Sequence, residues 1–204
     1  MLTNNDLRSF HRAAVLASVD VVNDVTPTEL HRATPCDGWN LSQLLAHMTV
    51  QHRGFAAAAR GDGANPARWD TATVADAVAI DPAGTYAEAA ADVLEAFADD
   101  DVLAASFALP EFGPGAVFPG SQAIGFHFVD YVVHGWDVAR ALDAPFALPA
   151  DVIAAVLPLV FAVPDGDFRT APGSVFAPAI AAGEPLSDLD RALLHLGRSP
   201  AWTP

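Results

Sequence analysis

Asp130 and His134 stand four residues apart in a segment whose apolar spacing predicts a helix over Ser121–Leu142. Side chains at that spacing leave the same helix face one turn apart. A carboxylate and an imidazole so placed can chelate one metal ion, and helix bundles build metal sites from side chains on facing helices. The third ligand must come from another helix, and His47 is the strongest candidate. It follows Leu44, Leu45 and Ala46 on the apolar side of a second predicted helix, where a lone imidazole needs a partner. Two histidines and one carboxylate, with positions left for water, suit a divalent metal: Zn first, then Ni, Fe or Mn. Three protein ligands define an open, reactive ion rather than a closed structural one. The bland alternative is a hydrogen-bonded Asp130–His134 pair without metal, and spacing alone leaves both readings standing.

His127 shares the Asp130 face, which makes it a candidate to support a ligand or touch substrate, or equally a histidine at the edge of the core. His52 lies ~140° round the helix from His47 and is expected off the site. His11, His31 and His195 are expected on the surface or in loops. Cys36, the sole cysteine, is expected as a small buried hydrophobe, because nothing near it in sequence is clearly basic. Trp39 and Trp136 are expected to pack near helix ends, with a pocket-wall role for Trp136 as the second choice. Asp137 is expected to accept a hydrogen bond from nearby backbone or from Arg140.

The elements that must position these residues follow from periodicity and punctuation. Leu7, Phe10, Ala14, Val15, Ala17, Val21 and Val22 predict an amphipathic helix over residues 5–23. A loop broken by Pro27, Pro35 and Gly38 follows. Asn40 caps a second helix that runs to Arg60, with Gln43 placed for a capping box and Gly61 as the stop. Residues 61–85 are expected as a loop with a short helix at 73–80. A third main helix runs from Tyr86 to about Asp99, where an acidic run ends it. Two short apolar pieces around a Gly-Pro-Gly turn at 104–119 predict a small β-hairpin. After the Ser121–Leu142 helix come helices at Ala150–Val163 and Leu186–Leu196, separated by a Pro/Gly-rich stretch. The fold expected is all-α: an antiparallel four-helix bundle with short C-terminal helices and a small β-hairpin. Residues 1–204 form one domain in this reading, with 145–204 as a helical extension packed on the bundle.

Composition limits the partners. Net charge is −15, and all ten basic residues are Arg, so the chain repels phosphate backbones and is not read as a nucleic-acid binder. A single cysteine excludes an internal disulfide. The polar start MLTNNDLRSF has no leader pattern, and the longest apolar stretch, Val152 to Val163 with Pro158 inside, is too short for a bilayer. The expected address is the cytoplasm, without membrane contact.

Three blocks also carry a family resemblance. Thr34-Pro-Cys-Asp-Gly-Trp39-Asn-Leu-Ser-Gln-Leu-Leu-Ala-His47 resembles the start of the second helix in the DinB/YfiT-like metal-binding superfamily. Asp130-Tyr-Val-Val-His134-Gly-Trp-Asp137-Val-Ala resembles the HGWDLA signature of its actinobacterial branch, which includes the N-terminal domain of mycothiol-dependent maleylpyruvate isomerase. Leu193-Leu-His-Leu-Gly-Arg198-Ser-Pro-Ala-Trp202 looks like the GR-x-P-x-W tail of small members. The resemblance implies a bundle whose metal is held by one histidine on the second helix and a carboxylate–histidine pair on a later one, matching His47, Asp130 and His134. The isomerase carboxylate is Glu; Asp130 is one methylene shorter, which bears on denticity and metal preference. The resemblance further implies a thiol such as mycothiol as cosubstrate, a small electrophile as substrate, and pairing into a homodimer. It also suggests that the isomerase's separate C-terminal domain has no counterpart here.

The readings left open are a metal- and thiol-dependent S-transferase or isomerase, a metal-dependent hydrolase, a non-catalytic metal-binding or sensing bundle, and a purely structural bundle.

Overall fold

In the computed structural model, residues 6–171, 174–181 and 187–204 are described. Position 5 and Leu186, where the first and last expected helices begin, lie outside them. Chain order is α1 (Arg8–Val22), α2 (Leu41–Ala59), α3 (Ala75–Ile80), α4 (Pro82–Ala96), β1 (Ser106–Ala108), β2 (Val117–Pro119), α5 (Gly120–Ala141), α6 (Ala150–Ala162) and α7 (Asp188–His195). Helix α1 packs on α5 and α4, and α2 packs on the same two, so these four close into the expected bundle.

Local chemistry sets the ends. The Asn40 side chain accepts from the Gln43 N–H at 3.0 Å, and Gln43 Oε1 accepts from the Asn40 N–H at 3.0 Å. This reciprocal cap satisfies two of the donors a helix start leaves free and fixes the phase of α2. Helix α4 begins four residues before the expected Tyr86. Pro82 acts there not as a breaker but as the first helical residue, where its fixed φ is favourable and its missing N–H costs nothing. Asp81 caps it, accepting from the Gly84 N–H at 2.9 Å. The hairpin forms at the expected place, pairing Ser106 with Pro119, Phe107 with Phe118 and Ala108 with Val117.

Packing follows the apolar stripes. Val15, Leu44, Leu45, Met48, Tyr86 and Tyr131 make the centre of the bundle. Phe55, Phe97, Phe107 and Ile124 fill the end beneath the hairpin. Phe128, Val132, Val156, Val160 and Leu196 tie the C-terminal helices to α5. Each such fully buried large side chain contributes about 2 kcal/mol of transfer free energy. Gly135 permits the closest approach on this side: a Cβ there would sit 2.9 Å from the Phe146 ring and 3.3 Å from Ser18 Cβ of α1. Among the described residues, no helix is long and apolar enough to cross a membrane.

Candidate metal centre

Helices α2 and α5 face each other across the bundle and bring His47, Asp130 and His134 together. One donor atom from each lies within 4.8 Å of the others. His134 Nε2 is 3.3 Å from Asp130 Oδ1, and His47 Nε2 is 3.9 Å from Asp130 Oδ2. The two imidazoles meet nearly edge to face, with centroids 5.2 Å apart. The side chains of His47 and Asp130 are each 22% exposed, whereas that of His134 is 8% exposed, so the cluster opens to solvent on one side only. Two imidazole nitrogens and a carboxylate beside an open face are a donor set that fits a divalent ion with room for an exchangeable ligand.

The electrostatics differ between the two histidines. Burial lowers His47 to about 4 against the pull of Asp130, so its imidazole is neutral at pH 7. Burial also disfavours charge on His134, but the carboxylates of Asp130 and Asp137 prevail and push it up to about 9. Burial opposes ionisation of Asp130, yet His134 and His47 hold its carboxyl below the usual range.

Behind His134 lies a chain of support. Asp137, fully buried, accepts from His134 Nδ1 at 2.9 Å. Arg198 Nε donates to both oxygens of Asp137, at 3.1 and 3.2 Å. Asp137 thus takes its partner from the C-terminal tail, not from Arg140, whose Nη2 donates to the Ala144 carbonyl instead. Fixing Nδ1 as the protonated nitrogen leaves Nε2 directed at Asp130 as a ligand atom.

Cys36 belongs to this corner too. Its sulfur, a ring nitrogen of His134 and a carboxylate oxygen of Asp137 also fall within 4.8 Å of one another. As a metal set this group is poorer, because Asp137 is already shared between His134 and Arg198. The expectation that Cys36 has no basic neighbour fails, since Arg198 stands beside it, brought from 162 positions away. Burial pushes the thiol up to about 11 despite Arg198, which makes it a weak nucleophile. Cys36 is placed by a tight turn in which Gly38 takes φ +77°, open only to glycine at low cost, and Thr34 Oγ1 donates to the Trp39 carbonyl at 2.9 Å. The same turn lays Trp39 against His47, ring centroids 5.0 Å apart.

The remaining histidines separate from the cluster. His127 is fully buried and points into the bundle, its Nδ1 2.8 Å from His11 Nε2 and its Nε2 3.2 Å from His52 Nδ1. Both His127 nitrogens are therefore committed to other histidines rather than to Asp130 or His134. His11, expected at the surface, is 1% exposed; its polar type hid a buried partner 116 positions away. His31 is exposed, and His195 is half-buried with Nε2 2.9 Å from the Val163 carbonyl. Trp136 is buried in the core.

The comparisons with known proteins agree with this architecture. Residues 11–139 match the family described as the mycothiol maleylpyruvate isomerase N-terminal domain, and the chain belongs to that family. The uncharacterized proteins Rv0738 and MT0763 of two Mycobacterium tuberculosis strains are each 28% identical over 189 residues, 93% of this chain and 96% of theirs. The crystal structure of the mycothiol-dependent maleylpyruvate isomerase aligns with a TM-score of 0.64 at 16% identity, covering 98% of this chain and 91% of that one. A mutant of the same enzyme aligns at 0.58 and 14% identity, over 78% of this chain and 70% of that one. The alignment with that first structure covers 98% of this chain and so extends past α5 into the C-terminal helices.

Proposed function

We propose that this protein holds a divalent metal ion, Zn first among Zn, Ni, Fe and Mn, through His47, Asp130 and His134, and uses it in mycothiol-dependent S-transfer or isomerisation of a small electrophile in the cytoplasm. The observation that carries this reading is the convergence of three donor atoms from two helices beneath an opening on the His47–Asp130 side. Membership of the mycothiol maleylpyruvate isomerase N-terminal family supplies the thiol and the reaction class. When bound there, the ion would act as a Lewis acid, lowering the pKa of a thiol or polarising a carbonyl.

The chain's own residues have distinct parts. His47 offers a neutral imidazole without losing a proton. His134 must release one, because its flanking carboxylates hold it at about 9, so uptake of the ion tightens as pH rises toward that value. Asp137 and Arg198 keep the His134 ring from turning. Trp39 lies against one side of the His47 ring.

The test is consumption of mycothiol by the Zn-loaded protein with a haloarene or a bimane as electrophile. Metal-dependent turnover that disappears in His47→Ala is the expected result. No turnover with any thiol contradicts the reading, and thiol-independent cleavage of esters or amides would replace it with a hydrolase.

A further inference from the structure

The hairpin between α4 and α5 carries a carboxylate that the metal cluster does not use. Between β1 and β2 the chain makes a single 3-10 turn, Pro110–Phe112, and this turn is pinned to both ligand-bearing helices. On one side Gln51 Nε2 donates to Glu111 Oε2 at 2.9 Å, and Gln51 stands one turn beyond His47 on the same face of α2. On the other side the Phe112 ring stacks on Phe126, centroids 4.8 Å apart and planes 28° from parallel. Phe126 stands one turn before Asp130 on the same face of α5. Phe118 of β2 closes the aromatic group, 5.1 Å from both rings. The turn therefore bridges the α2–α5 groove one turn from each helix's metal ligand, with an aromatic wall and one acid.

We propose that Glu111 faces the space a reactant occupies beside the metal cluster and takes the proton of the incoming thiol. This rests on the thiol-dependent reading above. The metal ligands are poor acceptors for that proton, because His47 and Asp130 would be bound to the ion and His134 Nδ1 is committed to Asp137. Glu111 is left to accept it. The Gln51 amide of α2 holds the Glu111 carboxylate, and the Asp130 charge of α5 is near enough to act on it. Glu111 lies at the surface with its carboxylate drawn onto the buried Gln51 amide, which holds it in place. In substitution, the S–H proton passes to Glu111, the C–S bond forms and the halide leaves with its electron pair; solvent then takes the proton from Glu111. In addition to an activated double bond, the π pair moves to the neighbouring carbon as sulfur bonds, and Glu111 returns its proton there. Neither route needs an oxidant.

The experiment pairs Glu111→Gln and Glu111→Asp with the wild type, all Zn-loaded. Rates of mycothiol consumption with monobromobimane are measured across pH 5 to 9, together with Zn content. In Glu111→Gln, kcat falls on the order of 100-fold at pH values where its Zn content equals that of the wild type, while Glu111→Asp recovers part of the rate. A Glu111→Gln rate within about 3-fold of wild type with the same pH profile overturns the proposal and leaves the thiol reading intact. A second readout is independent of turnover: the side-chain amide resonance of Gln51 follows the Glu111 titration, and mycothiol should move its midpoint. A midpoint that mycothiol leaves unmoved overturns the placement of Glu111. If the wild type also consumes no thiol, the thiol reading falls with it.

Discussion

His134 is held at both ring nitrogens by carboxylates, and of these Asp130 is the one that also stands beside His47 on the open side of the cluster. The other, Asp137, is buried and made useful by Arg198, which neutralises it and fixes its orientation. Removing Arg198 takes away the donor that holds the buried Asp137 carboxylate in place against His134. Partners behind metal ligands typically change affinity by 10–100-fold. Arg198→Ala and Asp137→Asn are therefore expected to weaken Zn binding by roughly 10-fold or more while the helical content stays intact. Competition against a chromogenic chelator measures this, and unchanged affinity in both variants would remove the supporting role. The ligand candidates were legible because Asp130 and His134 are neighbours on one helix, and His47 sits among leucines. Arg198 was not, because its partner lies 61 positions away and nothing local marks the pairing.

At the scale of elements, the contact of α1 with α5 is closed by histidines. His11, His127 and His52 run in a line through the bundle, and His127 stacks on Tyr131 at 4.1 Å. Among the described residues, His52 Nε2 ends the line without a hydrogen-bond partner. Burial lowers all three, His11 to about 3. The unfolded chain takes up these protons near 6.5 while the folded one refuses them, so stability is full above that pH and is lost as pH falls. At pH 4 the loss from His11 alone is roughly 3 kcal/mol. Denaturant unfolding at pH 7 and pH 4.5 should show this fall, and His127→Phe, which removes one of the three titrating groups, should make it shallower. A wild-type stability independent of pH over that range would contradict it. The helices themselves were readable from apolar periodicity, caps and the Gly-Pro-Gly turn. The start of α4 was missed because proline at a first helical position looks like a break. The burial of His11 was missed because pairing between distant histidines leaves no periodic trace.

At the scale of the whole molecule, the C-terminal segment delivers Arg198 to Asp137 behind His134, and Arg169 anchors that segment. Arg169 is 3% exposed, and its guanidinium donates to the carbonyls of Val163, Pro164, Ala177 and His195 at 2.6 to 3.2 Å. Arg169→Met should loosen the segment, shown by faster limited proteolysis after α6 and by weaker Zn binding through the loss of the Arg198–Asp137 contact. Unchanged cleavage and affinity would separate the tail from the site. Through Arg198 and its anchor Arg169, the described part of the C-terminal segment takes part in holding His134 in place.

The central claim is that His47, Asp130 and His134 hold one divalent ion, and elemental analysis of the purified protein tests it most directly. The account predicts about one equivalent of Zn, Ni, Fe or Mn per chain, lost in both His47→Ala and His134→Ala. No metal in the wild type, even after each of these ions is offered in turn, would contradict it and leave a hydrogen-bonded cluster in a structural or partner-binding bundle.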